Sequence, residues 1–394
     1  MTVTHAQIRA FRLGSHHLDH PLPPDRLLEA AGACGIQNSP PGTWETALWN
    51  RVEGVTRSQL EEILSQEKPL LQAWSIRGVP LVFPTQDAGV FLSPLCAQAG
   101  EEPWIYTRGL SGALDAFHLS FDALLPLAEQ ACACLEEETV HSKEALDRRL
   151  AALMEPMLPP AILPAWRASS IYGRPDRQTM GEAAVSFLLR PCAFRGKVVF
   201  GARLDGSPTF TAPARWLGRP LPEHPDGERE LVRRFLRCYG PALPSALQSW
   251  LGCSPAQAKR LWRGIQGELV PAEVEGKRRW LLAADRKRLL HGEENDRIRL
   301  LGPHDPYLDL RDRDTVLPDQ RLQRQVWRTV GNPGAVLHGG RVAGLWSARA
   351  QGDRLAVSVT LFEALTSVQR AQLEELVQGY AAFRGTILQA YTVS

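Results

Sequence analysis

Apolar residues recur along this chain with two periods, near 3.6 and near 2, and the switches between them mark out its elements. Thr4 can cap a helix with Gln7 as its capping-box partner, and Ile8 and Phe11 then face inward as far as about residue 13. Pro23-Pro24 precedes a second helix over 25–34, which Gly35 stops. Residues 35–42, GIQNSPPG, form a polar loop that two prolines keep from becoming helical. Helices are predicted over 43–51 and 57–65, then two strands over 70–76 and 79–83 that turn near Arg77-Gly78. From 84 to 120 the chain is turn-rich and weakly specified. Helices follow over 121–135, 142–154 and 179–189, then strands over 197–203 and 209–212 around Asp205-Gly206, a hairpin-turn signal.

The clearest punctuation lies between residues 242 and 284. Ser254 stands at an N-cap, Pro255 at the first helical position and Gln257 three residues on, which predicts a capping box. Ala258, Leu261, Trp262 and Ile265 make one apolar face, with Lys259, Arg260 and Arg263 off it. Two strands, 269–274 and 279–282, are predicted around Glu275-Gly276-Lys277-Arg278. Helix, turn, basic helix and basic hairpin spell a winged helix-turn-helix. Between 254 and 290 nine Lys/Arg stand against four acids. Lys259, Arg260, Arg263, Lys277, Arg278 and Arg279 are the candidate phosphate-binding residues of a protein that grips double-stranded DNA. A solvated charged face on an ordinary helical domain is the alternative.

The order helices-then-hairpin occurs three times without a sequence period, so the repetition is architectural. After residue 297 short alternating runs (335–337, 341–346, 355–361) predict strands, followed by an amphipathic helix over 367–384 and a last strand over 386–392. The expected fold is mainly α with β wings: three tandem winged helix-turn-helix units and a C-terminal β-rich, small barrel-like domain. The expected boundaries are 1–85, 86–216, 217–295 and 296–394.

At 394 residues there is chain for several cores, and a net charge of only +2 confines any nucleic-acid affinity to local patches. The seven cysteines are scattered, and Cys132-Ala-Cys134 has no second pair at ligand spacing. His16-His17 and His20 fit neither a zinc finger nor a HExxH helix, so they are read as a solvated loop. No metal and no cofactor are expected. No apolar run approaches membrane length. The expectation is a soluble cytoplasmic, nucleoid-associated protein, a monomer with reduced thiols and no membrane partner.

Several stretches resemble one family, the AlkZ-like winged-helix DNA glycosylases. His304-Asp305-Pro306-Tyr307-Leu308 through Arg311-Asp312-Arg313, and Val336-Leu337-His338-Gly339-Gly340-Arg341-Val342-Ala343-Gly344-Leu345-Trp346, are similar to its C-terminal motifs. Trp74-Ser75-Ile76-Arg77-Gly78 resembles its W-x-x-R-G segment, with Val79 and Leu81 where Thr and His are common. The resemblance implies three winged helices, a small C-terminal β domain, and catalysis by a Gln-x-Gln or Gln-x-Asp loop. Here that triplet is Gln37-Asn38-Ser39, so Gln37 and Ser39 become the candidate catalytic pair, and Arg77 at a hairpin tip a candidate phosphate contact. The implied activity is that of a monofunctional glycosylase for cationic N7- or N3-alkylated purines in duplex DNA, extending to bulky or cross-linked adducts, in base excision repair of alkylation damage. A non-catalytic winged-helix DNA-binding protein or regulator is the competing reading, favoured by the altered triplet.

Overall fold

The computed structural model describes residues 1–102, 105–173, 176–292 and 295–394, with side chains of 105–107 outside the description. About half of the described chain is helical, with several sheets, none closed into a barrel. Two compact units emerge: Met1–Glu62 with Val232–Trp250 and Trp262–Ser394, and Ile63–Leu231 with Leu251–Leu261. No helix among the described residues is long and apolar enough to cross a membrane.

In the first unit the N-terminal helix runs His5–Ser15, opened by the Thr4–Gln7 capping box that the sequence announces. Ile8 and Phe11 bury against Ala272, Val274 and Leu281 of an antiparallel hairpin, Leu269–Val274 with Lys277–Leu282, and against Leu289. Glu275 and Gly276 turn that hairpin at φ 50° and 73°, the left-handed pair of a tight two-residue turn. The backbone extends it on both sides, through Val3 N to Glu273 O at 2.8 Å and Trp280 N to Ala242 O at 2.9 Å.

The C-terminal part of this unit is an open five-stranded sheet. Its order is Ile387–Val393, Arg354–Leu361, Arg341–Gln351, Gly334–His338, Ile298–Leu301. The predicted strands and the helix Ser367–Phe383 are present, but the small barrel is not. The last strand pairs in parallel with Arg354–Leu361, through the crossover helix, so first and last strands never meet. Val336, Trp346, Val357, Leu373, Val377 and Tyr380 form the core beneath the sheet.

The second unit centres on helix Met180–Phe194, whose residues Ala184, Val185, Leu188 and Leu189 pack among Leu110, Leu124, Leu146, Leu150 and Trp166. Its hairpins are Leu70–Trp74 with Pro80–Pro84, and a small sheet of Val140–His141, Thr209–Thr211 and Val199–Phe200. Trp74 is core here, stacked on Phe210 at 5.2 Å with rings 4° apart. The stretch read as turn-rich contains helix Ile105–Phe117. Gly89 and Gly227 pass backbone to backbone: a Cβ on Gly227 would run into the Gly89 carbonyl, and one on Gly89 into the His224 amide.

One cap is only half as predicted. Ser254 Oγ accepts from Gln257 N at 3.2 Å, but the Gln257 amide does not return to Ser254. Its Oε1 accepts no bond from Ser254 N among the described residues, and its Nε2 donates to Pro94 O at 3.1 Å and Cys96 O at 3.3 Å.

Candidate active site

Gln37 ends a two-residue extended stretch, Ile36–Gln37, that follows left-handed Gly35 (φ 72°). The extended stretch stops at Gln37 and Ser39 lies in a bend; Asn38 is buried, while Gln37 and Ser39 are half-exposed. Asn38 Oδ1 accepts from Gly42 N at 2.7 Å and closes the loop from within. An apolar side chain in its place would anchor the loop by packing; Asn38 anchors it by a hydrogen bond. Thr43 Oγ1 lies 2.8 Å from Gln37 O and 2.9 Å from Pro40 O, so one hydroxyl ties the loop to helix Thr43–Trp49.

Gln37 Nε2 donates to Ser39 O at 2.9 Å, which fixes the amide's orientation. Gln37 Oε1 and Ser39 Oγ have no hydrogen-bond partner among the described residues, an acceptor and a hydroxyl that can donate or accept. Neither is a base at neutral pH. Glu45, on the following helix, is engaged elsewhere, with Oε2 accepting from Arg57 Nε at 2.6 Å. That hydrogen bond holds the Arg57 guanidinium above its ordinary pKa, against the cost of burial. Among the described residues of the loop the two half-exposed groups are neutral, so they can orient a water but not deprotonate one.

At the far end of the same helix stands a brace of opposite character. Arg51 Nη1 and Nη2 grip the Asp305 carboxylate at 2.8 and 2.7 Å, both side chains essentially buried. Burial opposes the Arg51 charge, but attraction and hydrogen bonding from Asp305 outweigh it and raise its pKa. Asp305 Oδ1 also accepts from Tyr307 N at 3.0 Å, and Asn50 Nδ2 donates to Leu300 O at 2.8 Å. Trp49 is half-buried and packs at 5.6 Å from Tyr380 and 5.9 Å from Phe383. A second pair does the same for the N-terminal helix, with Arg12 on both Asp312 oxygens at 3.0 and 2.8 Å and on Tyr239 O at 2.6 Å. The C-terminal motif residues are thus fasteners, a role their letters do not disclose.

The basic residues stand apart in their surroundings. Lys259, Arg263, Lys277 and Arg278 are exposed, and Arg278 lies 4.7 Å over the Trp280 ring. Arg279 is half-buried, its Nε without a hydrogen-bond partner among the described residues. Arg260 is held by Glu101, with Nε to Oε1 at 2.6 Å, and by Glu228. Burial works against its charge and those two carboxylates restore it, raising its pKa. Arg77 is half-buried with φ 57°, at the tip between Leu70–Trp74 and Pro80–Pro84. Lys277 and Arg279 line a cavity of about 370 Å³ with Arg311, Asp309 and Asp312, and a cavity of about 690 Å³ in the second unit is lined by Glu129, Arg195, Lys197 and His224. Neither is lined by Gln37 or Ser39.

His16 is not in a solvated loop. The first helix runs to Ser15 with His16 as its C-cap, and this carries the ring inside, edge-on to Tyr239 at 5.4 Å and Tyr307 at 5.5 Å. His17 is half-buried, its pKa lowered mainly by that burial, and only His20 is exposed. The fold also gathers His16, Cys34 and Cys238, a cluster that no sequence spacing reveals.

The sequence model of the family described as "DNA glycosylase AlkZ-like" matches residues 30–383. A protein of Streptomyces sahachiroi named "Interstrand DNA cross-link repair glycosylase" is 24% identical over 362 residues, 88% of each chain. The solved structure "Streptomyces sahachiroi DNA glycosylase AlkZ" superposes over 100% of both chains with a TM-score of 0.78 at 21% identity.

Proposed function

Because the chain belongs to the AlkZ-like DNA glycosylase family, we propose that it hydrolyses the N-glycosidic bond of cationic N7- or N3-alkylated purines in duplex DNA, with Gln37 and Ser39 placing the attacking water. The observation that carries this reading is the chemistry of the loop: two neutral, hydrogen-bonding side chains turned outward, with the neighbouring carboxylate tied to Arg57. A purine alkylated at N7 or N3 already carries a positive charge and leaves readily, through an oxocarbenium-like sugar. Such a substrate needs a positioned water more than a strong base. A neutral base would need the carboxylate that position 39 lacks.

The reaction is read as monofunctional: water, not a protein amine, takes the sugar carbon. Bulky or cross-linked adducts fall within the same proposal, since the curated relative is named for interstrand cross-link repair. The arrangement into three winged helices, bounded at 85, 216 and 295 and followed by a C-terminal domain, belongs to the proposal too. So do binding as a monomer and the phosphate contacts assigned to Arg77, Lys259, Arg263, Lys277, Arg278 and Arg279, whereas Arg260 is held by Glu101 and Glu228 and is left out of them.

The test is incubation with duplex DNA carrying N7-methylguanine, followed by detection of abasic sites. Expected is excision of the methylated base, faster than of any neutral lesion in the same context. Tight duplex binding with neither base excised would replace this reading with that of a non-catalytic DNA-binding protein.

A further inference from the structure

Three chemically soft donors converge inside the first unit, brought there by separate parts of the chain. His16 caps the N-terminal helix, Cys34 precedes the Gln37 loop by three residues, and Cys238 lies near the end of helix Gly227–Tyr239. One ring nitrogen of His16 and the two Sγ atoms all lie within 4.8 Å of one another, and all three residues are buried. We propose that His16, Cys34 and Cys238 form a structural site for a thiophilic closed-shell cation, Zn²⁺ or Cu⁺.

The ring is set up as a ligand. His16 Nε2 stands 3.2 Å from Cys238 O, so in the neutral ring Nε2 carries the proton and Nδ1 keeps the lone pair. A backbone carbonyl on one ring nitrogen, fixing tautomer and orientation, is the usual outer support of a metal-bound histidine. The Tyr239 and Tyr307 rings hold the imidazole edge-on from two sides. The thiols interact with each other, and Cys34 also with His16; their other contacts are long, Cys34 Sγ with Tyr239 Oη at 3.7 Å and Cys238 Sγ with Ala33 O at 3.5 Å. These are weak partners for buried sulfur, and a cation would replace little in displacing them.

The charge also balances. Two thiolates neutralise Zn²⁺ and leave one negative charge with Cu⁺. Metal–sulfur and metal–nitrogen bonds of about 2.3 and 2.0 Å put donors about 3.3–3.8 Å apart. A spread of 4.8 Å therefore closes by roughly 1 Å on binding. Cu⁺ is satisfied by three donors, whereas Zn²⁺ would take the Tyr239 hydroxyl or a water as a fourth.

The test uses the full chain. Metal content is measured on protein purified without chelator, then after addition of Zn²⁺ alone or, under reducing anaerobic conditions, Cu⁺ alone, each against a competing chelator. Expected is one equivalent of one of the two ions, and after Co²⁺ substitution an intense thiolate-to-cobalt charge-transfer band. His16→Ala should weaken binding by about 100-fold, and the Cys34→Ser/Cys238→Ser double variant should abolish it, while Cys134→Ser should leave it intact. A folded wild type that takes up neither ion, or a mass showing a Cys34–Cys238 disulfide in that protein, overturns the proposal. So does equal binding by a double variant whose circular dichroism is native. Should the double variant not fold, the wild-type stoichiometry and cobalt spectrum decide.

Discussion

The Gln37–Ser39 loop and the Arg51–Asp305 brace stand before and after one short helix, Thr43–Trp49, and differ in every respect that matters physically. The loop is neutral, half-exposed and held by single hydrogen bonds, each contributing about 1 kcal/mol. The brace is charged, buried and doubly bonded. The family-like letters of the C-terminal motif lie in the brace, and the departure from the family pattern lies in the loop. A buried ion pair admits no partial change, because removing one partner strands the other. A loop residue that only orients a water can change and leave the fold intact. The difference separates what holds this protein together from what it does.

Breaking the brace should have the largest effect. Asp305→Ala leaves Arg51 buried and unpaired and should cost about 3–5 kcal/mol of stability, read as a fall in the urea midpoint. Excision should fail in parallel, as a consequence of unfolding. Gln37→Ala should do the reverse, slowing excision of N7-methylguanine by about 100-fold, or about 2.7 kcal/mol of barrier, with the urea midpoint scarcely moved. Equal losses in both measurements for Gln37→Ala would erase the distinction between loop and brace. Thr43→Val tests the link between them, since it removes the hydroxyl shared by Gln37 O and Pro40 O. About 1–2 kcal/mol of stability and roughly a tenfold loss of rate are expected, intermediate on both scales.

Ser39→Ala should slow excision by less than about tenfold, whereas Ser39→Asp should extend activity toward neutral lesions and add an acidic limb to the pH–rate profile near the ordinary carboxylate pKa of about 4. The smallest effect concerns the basic residues. In a plot of log affinity for duplex DNA against log salt, Lys277→Ala should reduce the slope by about 0.9. Arg260→Ala should leave the slope nearly unchanged, because Glu101 and Glu228 already hold that guanidinium. A slope equally sensitive to both would mean that these carboxylates release Arg260 on binding.

What was legible in the sequence is what depends on near neighbours. The Thr4–Gln7 box and the alternating strands read at 335–337, 341–346 and 355–361 are local, and they form about where the pattern places them, while the turn read over Glu275 to Arg278 closes within Glu275-Gly276. The Ser254 cap is local and forms, but Gln257 finds two carbonyls some 160 residues away in sequence, Pro94 and Cys96, and the box is lost to them. Helix Ile105–Phe117 was hidden by Gly109 and Gly112, which read as turn residues. In the fold they are contact points: a Cβ on Gly109 would press on Phe187, and one on Gly112 on Ile171 and Tyr172. Closure of the C-terminal sheet was illegible because strand pattern says nothing of whether first and last strands meet. The candidate loop was legible as a resemblance, and its internal anchors, Asn38 on Gly42 and Thr43 on two carbonyls, were not. His16 was misplaced because its burial is decided by Tyr239 and Tyr307, far along the chain.

The crossing of Gly89 and Gly227 restricts how this sequence can drift. Each glycine is blocked by backbone, the Gly89 carbonyl on one side and the His224 amide on the other. An obstruction made of side chain can be relieved by a second substitution that shrinks it. One made of main chain cannot, since every amino acid brings the same carbonyl and amide. Any lineage that replaced either glycine would have to remodel the path of the chain around His224, by insertion or deletion, before the new residue could be kept. The two positions therefore have no stepwise route of compensation open to single codon changes, and a mutational scan should find them intolerant of every residue.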